Sequence, residues 1–271
     1  MVGGPNHVVH AQKIILRTAK IMSGANGAGA VSMPPKTMLL RQVTDPHQVM
    51  TCIFDMDGLL LDTERVYTEV TQAIVERYGK MFTFEIKAKM MGKTGPDAAK
   101  VLIDELQLPM TPEEYLRERN EEQNKRFPSC AILPGVERLV RHLKTHGYKI
   151  AVATSSHRDP YELKTKNHTE LFRLFDVVVT GDDAELRAGK PAPDIFLLAA
   201  QRLGCPSNTP ETTLVFEDAP NGLQAAKAAG MLCCMVPDDR LDRSLTHGAD
   251  QVLRSLVDFD PRYWNMPGFD E

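Results

Sequence analysis

From residue 135 onward the chain repeats one alternation, and that rhythm limits the folds open to it. Short apolar runs are followed by longer stretches whose apolar residues recur three and four apart. Val136, Leu139, Val140 and Leu143 form a helical stripe closed by Gly147, and 148–153 then reads as a strand. A helix expected over 161–172 leads to the strand Val177, Val178 and Val179. Ile195, Phe196, Ala199, Ala200 and Leu203 mark the next helix, before the strand Leu214, Val215 and Phe216. A helix of small residues runs to Gly230, and 232–236 and the neighbourhood of Val252 supply two last strands. Cys52, Ile53 and Phe54 add one at the front. Apolar strands alternating with amphipathic helices predict an α/β fold: a doubly wound parallel sheet with a Rossmann-like core, helices covering both faces.

The rhythm is absent between the first strand and residue 134. Val66, Val70, Ala73 and Ile74 repeat at helical spacing, as do Ala98, Val101, Leu102 and Leu106. Thr111, Pro112 and Glu114 open a further helix as N-cap, first position and capping-box partner. The breakers 92–96 separate two of these helices. Residues 64–134 are therefore expected to form an inserted helical cap domain. The α/β core domain takes 46–63 and 135–271.

Charge and cysteine usage exclude some functions. Residues 1–50 hold five Lys/Arg and one acid, so with a net charge of −4 for the whole chain the remainder stands at −8. An acidic body with few aromatics argues against a nucleic-acid groove, and no apolar run is long enough to span a membrane. Residues 1–45, rich in Gly, Ala and Pro, read as a flexible extension, with an organellar presequence as the alternative to a cytoplasmic protein. Five cysteines are an odd number without paired metal-ligand spacing, and Cys233-Cys234 sits in an apolar run. They read as buried hydrophobes of a reducing compartment. A monomer is expected.

The polar residues share one position in the pattern. Asp55 and Asp57, Thr154 and Ser155, and Glu217 and Asp218 each follow the last apolar residue of a strand. Ligands of open parallel sheets bind outside the carboxyl ends of the strands, so these tips converge on one crevice, with Lys190 in reach from its loop. The turn at Gly58 ends the strand sharply and presents Asp55 and Asp57 to that crevice. Four carboxylates suit a hard cation such as Mg²⁺. Metal, ammonium and hydroxyl donors together match a phosphate dianion. Asp182 and Asp183 serve equally well as turn caps or ligands, His168 reads as structural, and His142, His146 and His247 read as surface residues.

Phe54-Asp55-Met56-Asp57-Gly58, then Thr154-Ser155, Gly189-Lys190-Pro191 and Glu217-Asp218 resemble, in order and at fitting separations, the four motifs of the haloacid dehalogenase-like phosphatases. The resemblance covers about residue 50 to the end, and the helical insertion corresponds to that family's mobile cap. The longer stretches 54–64 and 216–222, with Leu163-Lys164-Thr165 and His168, look like the pseudouridine-5'-phosphatase group and the plant glycerol-3-phosphatases. Ser156-His157-Arg158-Asp159 departs from the small, Gly/Ser-rich stretch of that pattern. The resemblance implies a phosphatase for a small phosphate monoester. Pseudouridine 5'-phosphate is the first candidate and glycerol 3-phosphate the next; a sugar phosphomutase and a non-catalytic binder follow. It further implies Asp55 as nucleophile and Asp57 as acid and base. Mg²⁺ would be held by Asp55, the Asp57 main-chain carbonyl and Asp218. Thr154 and Lys190 would grip the phosphoryl oxygens with backbone N–H groups near Gly58 and Ser155, and Glu217 would orient from behind. Specificity is expected at Gly92, Lys93 and Thr94.

Overall fold

Six strands and nine α-helices are found among the residues that the computed structural model describes, namely 49–91, 93–205 and 209–270. The extension 1–45 and Gly92 lie outside them. In chain order the elements are β1 (Thr51–Phe54), α1 (Thr63–Glu76), α2 (Phe84–Met90), α3 (Gly95–Leu106), α4 (Pro112–Arg126), α5 (Val136–Thr145) and β2 (Lys149–Ala153). There follow α6 (Arg158–Thr165), α7 (Thr169–Phe172), β3 (Val177–Val179), α8 (Asp194–Arg202), β4 (Thr213–Glu217), α9 (Pro220–Ala228), β5 (Leu232–Met235) and β6 (Gln251–Val252).

The strands form one sheet in the order β3-β2-β1-β4-β5-β6, every pairing parallel. The chain builds outward from β1 to one edge, returns to lay β4 on the other side of β1, and builds to the opposite edge. β1 and β4 are thus neighbours whose connections leave in opposite directions, which opens a crevice above their carboxyl ends. Alternation along the strands divides the core. Cys52 and Phe54, Ile150 and Val152, and Leu214 and Phe216 face the apolar cluster containing α5, α6 and α7. Ile53, Ala151, Ala153, Val215 and Cys233 face the second cluster, with α8 and α9. Phe54 stacks on Phe216 with ring centres 4.5 Å apart and planes 5° from parallel, so the two central strands are locked side by side just below the crevice.

All of α1–α4 lies between β1 and β2. Its exit and return run together: the Asp62 N–H donates to the Ala131 carbonyl (2.9 Å) and the Leu133 N–H to that of Leu60 (3.0 Å). α4 begins as its sequence requires, with Glu114 N–H donating to Thr111 Oγ1 (3.2 Å) and Thr111 N–H to Glu114 Oε2 (2.8 Å).

Three expectations change. The helix anticipated over 161–172 is two, because Asn167 and His168 turn their side chains to the carbonyls of Pro128 (2.6 Å) and Cys130 (2.6 Å) and the chain bends to let them. Ala73, placed on the apolar stripe of α1, is exposed, and the buried stripe runs through Val66, Val70, Ile74 and Val75. His142 is buried: its ring packs on Phe269 at 4.7 Å and Nε2 donates to the Pro267 carbonyl (2.9 Å). The C-terminal segment lies over α5, a long-range covering that helical periodicity cannot reveal.

Candidate active site

β1 ends at Phe54, and the next residues wind into a compact turn. The Asp55 N–H donates to the Phe216 carbonyl (3.0 Å), while the Met56 carbonyl accepts from Leu60 (3.0 Å) and Leu61 (3.1 Å). Met56, fully buried, takes the core direction, and the carboxylates on either side of it are released to the crevice. Gly58 makes the turn possible. Its φ is +78°, and a Cβ there would collide with the Asp218 carboxylate.

Asp55 enters one cluster of charges. Lys190 Nζ donates to Asp55 Oδ1 (2.5 Å), Glu217 Oε1 (2.6 Å) and the Ala153 carbonyl (3.0 Å). Glu217 is 1% exposed and its other oxygen accepts from the N–H groups of Asp218 (3.1 Å) and Ala219 (3.3 Å). One ligand atom each from Asp55, Glu217 and Asp218 lie within 4.8 Å of one another. Burial lifts the Asp55 carboxyl to about 7, with Lys190 pulling down against it and Glu217 and Asp57 adding to the rise. Asp218 is raised well above the usual carboxylate range by burial first, then by the charges of Asp55 and Glu217. Burial opposes the Lys190 charge, but Asp55 and Glu217 outweigh it and hold that ammonium above its usual value. Three crowded carboxylates against one ammonium form an oxygen-lined site short of positive charge, which a divalent cation fits.

Asp57 belongs to a second cluster. Lys164 Nζ donates to Asp57 Oδ1 (2.6 Å), while Oδ2 accepts from Ser156 Oγ (2.8 Å) and Thr154 Oγ1 (3.3 Å). Burial alone would raise the Asp57 carboxyl, but the Lys164 ammonium and the Ser156 hydroxyl hold it below its ordinary value. Lys164 also donates to Tyr67 Oη (2.8 Å), and burial pushes that phenol up to about 12.

The residues anticipated at the strand tips are therefore close together, in two sets. Thr154 is wholly buried, its hydroxyl committed to Asp57 and to the Ser156 N–H (3.1 Å), whereas Ser155 is exposed beside it. A cavity of about 670 Å³ opens beside Asp57, walled by Tyr67, Lys93, Asn120, Phe127 and Ser155. A smaller one of about 230 Å³ opens on the far side of the turn, against Gly58 and Asp218. Thr94 N-caps α3, its hydroxyl donating to Asp97 Oδ2 (2.6 Å). Asp182 caps the Arg158 N–H (3.0 Å), Asp183 pairs with Arg202 (2.6 Å) and His168 holds the Cys130 carbonyl, so none of the three joins either cluster. Sequence reasoning passed over Lys164 and Tyr67 as site residues. Two signals were available: the resemblance at Leu163-Lys164-Thr165, and a lysine falling in step with Tyr161 and Thr165 on the buried face of α6.

A parallel-sheet enzyme whose strand tips gather paired aspartates, a buried lysine and a cation-fitting acid cluster is built for phosphoryl chemistry, and it is a phosphoric monoester hydrolase. The chain belongs to the haloacid dehalogenase-like hydrolases, whose family description matches residues 49–230. It is 49% identical over 221 residues to mitochondrial (DL)-glycerol-3-phosphatase 1 of Arabidopsis thaliana, a match covering 81% of this chain and 74% of that one. It is equally 49% identical over 224 residues to the probable pseudouridine-5'-phosphatase of Drosophila melanogaster, covering 82% of this chain and 96% of that one. The crystal structure of CbbY from Rhodobacter sphaeroides in complex with phosphate superposes with a TM-score of 0.62 at 26% identity, covering 78% of this chain and 96% of the other.

Proposed function

We propose that this phosphatase hydrolyses pseudouridine 5'-phosphate through a covalent aspartyl-phosphate, with Asp55 as nucleophile and Asp57 as general acid and base. The observation that carries this reading is the separation of the two carboxylates into clusters of different character, two residues apart. Asp55 lies against Lys190, a fixed cation that can orient the phosphoryl oxygens. An ionised carboxylate needs no further activation to attack phosphorus. As the Asp55–phosphorus bond forms, the bond to the leaving oxygen breaks and that oxygen takes a proton from Asp57. A water then attacks phosphorus, gives its proton to Asp57, and releases Asp55 and inorganic phosphate. Asp57 is held ionised in the free protein, the form that accepts a proton. The charge of an entering phosphate dianion raises its affinity for the proton it must donate.

Asp55, Asp218 and the Asp57 main-chain carbonyl would hold Mg²⁺, with Glu217 fixing Lys190 behind them. When bound, the metal supplies positive charge that offsets the repulsion between nucleophile and phosphate. The backbone near Gly58 and Ser155 would add donors to the phosphoryl group, while the Thr154 hydroxyl steadies Asp57. The segment 64–134 acts as the cap, hinged where its exit and return segments run together, and Lys93 is its candidate specificity residue. A wall cavity of about 670 Å³ with two aromatic rings favours a nucleoside-sized leaving group over glycerol.

The test is phosphate release from pseudouridine, glycerol, sugar and nucleoside monophosphates, with and without Mg²⁺. A preference of about 100-fold for pseudouridine 5'-phosphate, roughly 2.7 kcal/mol in transition-state binding, supports the reading. Equal preference for glycerol 3-phosphate overturns the substrate assignment, and undiminished release in the presence of a chelator overturns the metal.

A further inference from the structure

Lys164 is the buried charge that the proposed mechanism leaves without a task. It is 0% exposed, and each of its three ammonium protons has an acceptor: Asp57 Oδ1 at 2.6 Å, Tyr67 Oη at 2.8 Å and Ser156 Oγ at 2.8 Å. Its Nζ also lies 4.5 Å from the ring centre of Phe127 and 5.3 Å from that of Tyr67. Taking an ammonium wholly out of water is costly, and a buried ion pair is often no more stabilising than apolar residues of the same volume. An account of Lys164 through stability alone is therefore weak.

The partners come from both sides of the crevice. Lys164 itself is on α6 and Ser156 follows β2, so both belong to the sheet-bearing part of the chain. Tyr67 is on α1, and Phe127 directly follows α4, so both rings belong to the inserted helices. The ammonium grips one Asp57 oxygen while Ser156 and Thr154 grip the other, which removes the rotational freedom of the carboxylate.

We propose that Lys164 is a positioning residue that aims the Asp57 carboxylate at the leaving-group side of the site, and that Tyr67 makes this aim depend on the inserted helices being in place. The proposal rests on the phosphatase mechanism above. An alkyl leaving group must depart with a proton from Asp57, whereas p-nitrophenolate departs without one. A residue that aims the acid should matter for the first kind of ester and little for the second.

The experiment compares leaving-group release in the first turnover from pseudouridine 5'-phosphate and from p-nitrophenyl phosphate. Lys164→Met should slow the alkyl ester about 100-fold and the aryl ester less than about 5-fold, the range in which a single acid group contributes. The double variant with Asp57→Asn should be no slower than Asp57→Asn alone, since the two residues act as one unit. Tyr67→Phe removes only a hydroxyl, and should show the same selectivity at about 5-fold with its melting temperature kept, so the test survives if Lys164→Met does not fold. Equal slowing of both esters, or losses that multiply in the double variant, would mean that Lys164 only supports the fold. A wild-type protein inactive on both esters would overturn the mechanism itself, and this inference with it.

Discussion

Two buried lysines stand at the tips of the sheet, and each holds one carboxylate of the Asp55-Met56-Asp57 turn. Around Lys190 are three acids, Asp55, Glu217 and Asp218, and the balance is strongly negative. Around Lys164 is one acid, Asp57, among hydroxyls, and the balance is close to neutral. Burial acts on both sets alike, yet Asp55 and Asp218 are driven up and Asp57 is driven down. Local charge count, not depth, decides the sign. In the proposed mechanism the first cluster would receive positive charge and the second would handle a proton.

The largest effect expected from breaking this contrast is on Asp55. Asp55→Asn removes the proposed nucleophile and should cut turnover by about 10⁴-fold or more; full turnover in a steady-state assay would end the covalent mechanism. Asp57→Asn should cost about 10²- to 10⁴-fold and slow both half-reactions, which rapid-quench measurement of the phosphoenzyme would resolve.

The lysines separate by stability. Removing one partner of a buried pair costs about 3–5 kcal/mol, so Lys190→Met and Lys164→Met should each lower the unfolding midpoint in metal-free denaturant titrations. Mg²⁺ should restore part of the loss for Lys190→Met, because it re-supplies charge to three orphaned acids. It should restore none for Lys164→Met. Equal restoration would erase the distinction between the clusters.

The smallest effect is the pH dependence. Asp55 rises from an ordinary 3.8 to about 7 in the metal-free fold, so the folded state binds a proton that the unfolded chain has lost. The stability this brings is complete below about 4 and vanishes as the pH climbs through about 7. Asp218 is shifted in the same direction. Metal competes with those protons, so the rise in melting temperature on adding Mg²⁺ should grow between pH 4.5 and 7.5. A constant rise would mean that the acids are already ionised in the free protein.

The amino-acid sequence by itself determined the alternation of strands and helices after residue 135, the position of the acids at strand ends, and the helix start at Thr111. These follow from local periodicity and capping, which act over a few residues. It also carried the family resemblance, because Asp55, Lys190, Glu217 and Asp218 stand at strand-end or loop positions that a parallel sheet brings together. Only the tertiary structure decided which lysine serves which acid. Lys164 lies 107 residues from Asp57 and 97 from Tyr67, so beyond the resemblance at Leu163-Lys164-Thr165 and its place on a buried helical face, nothing local says which acid it meets. The same holds for His142, hidden by a segment 125 residues further on. Periodicity tells which face of an element is covered. What covers it, and which charge meets which, is settled when distant parts of the chain pack and each buried polar group must find a partner.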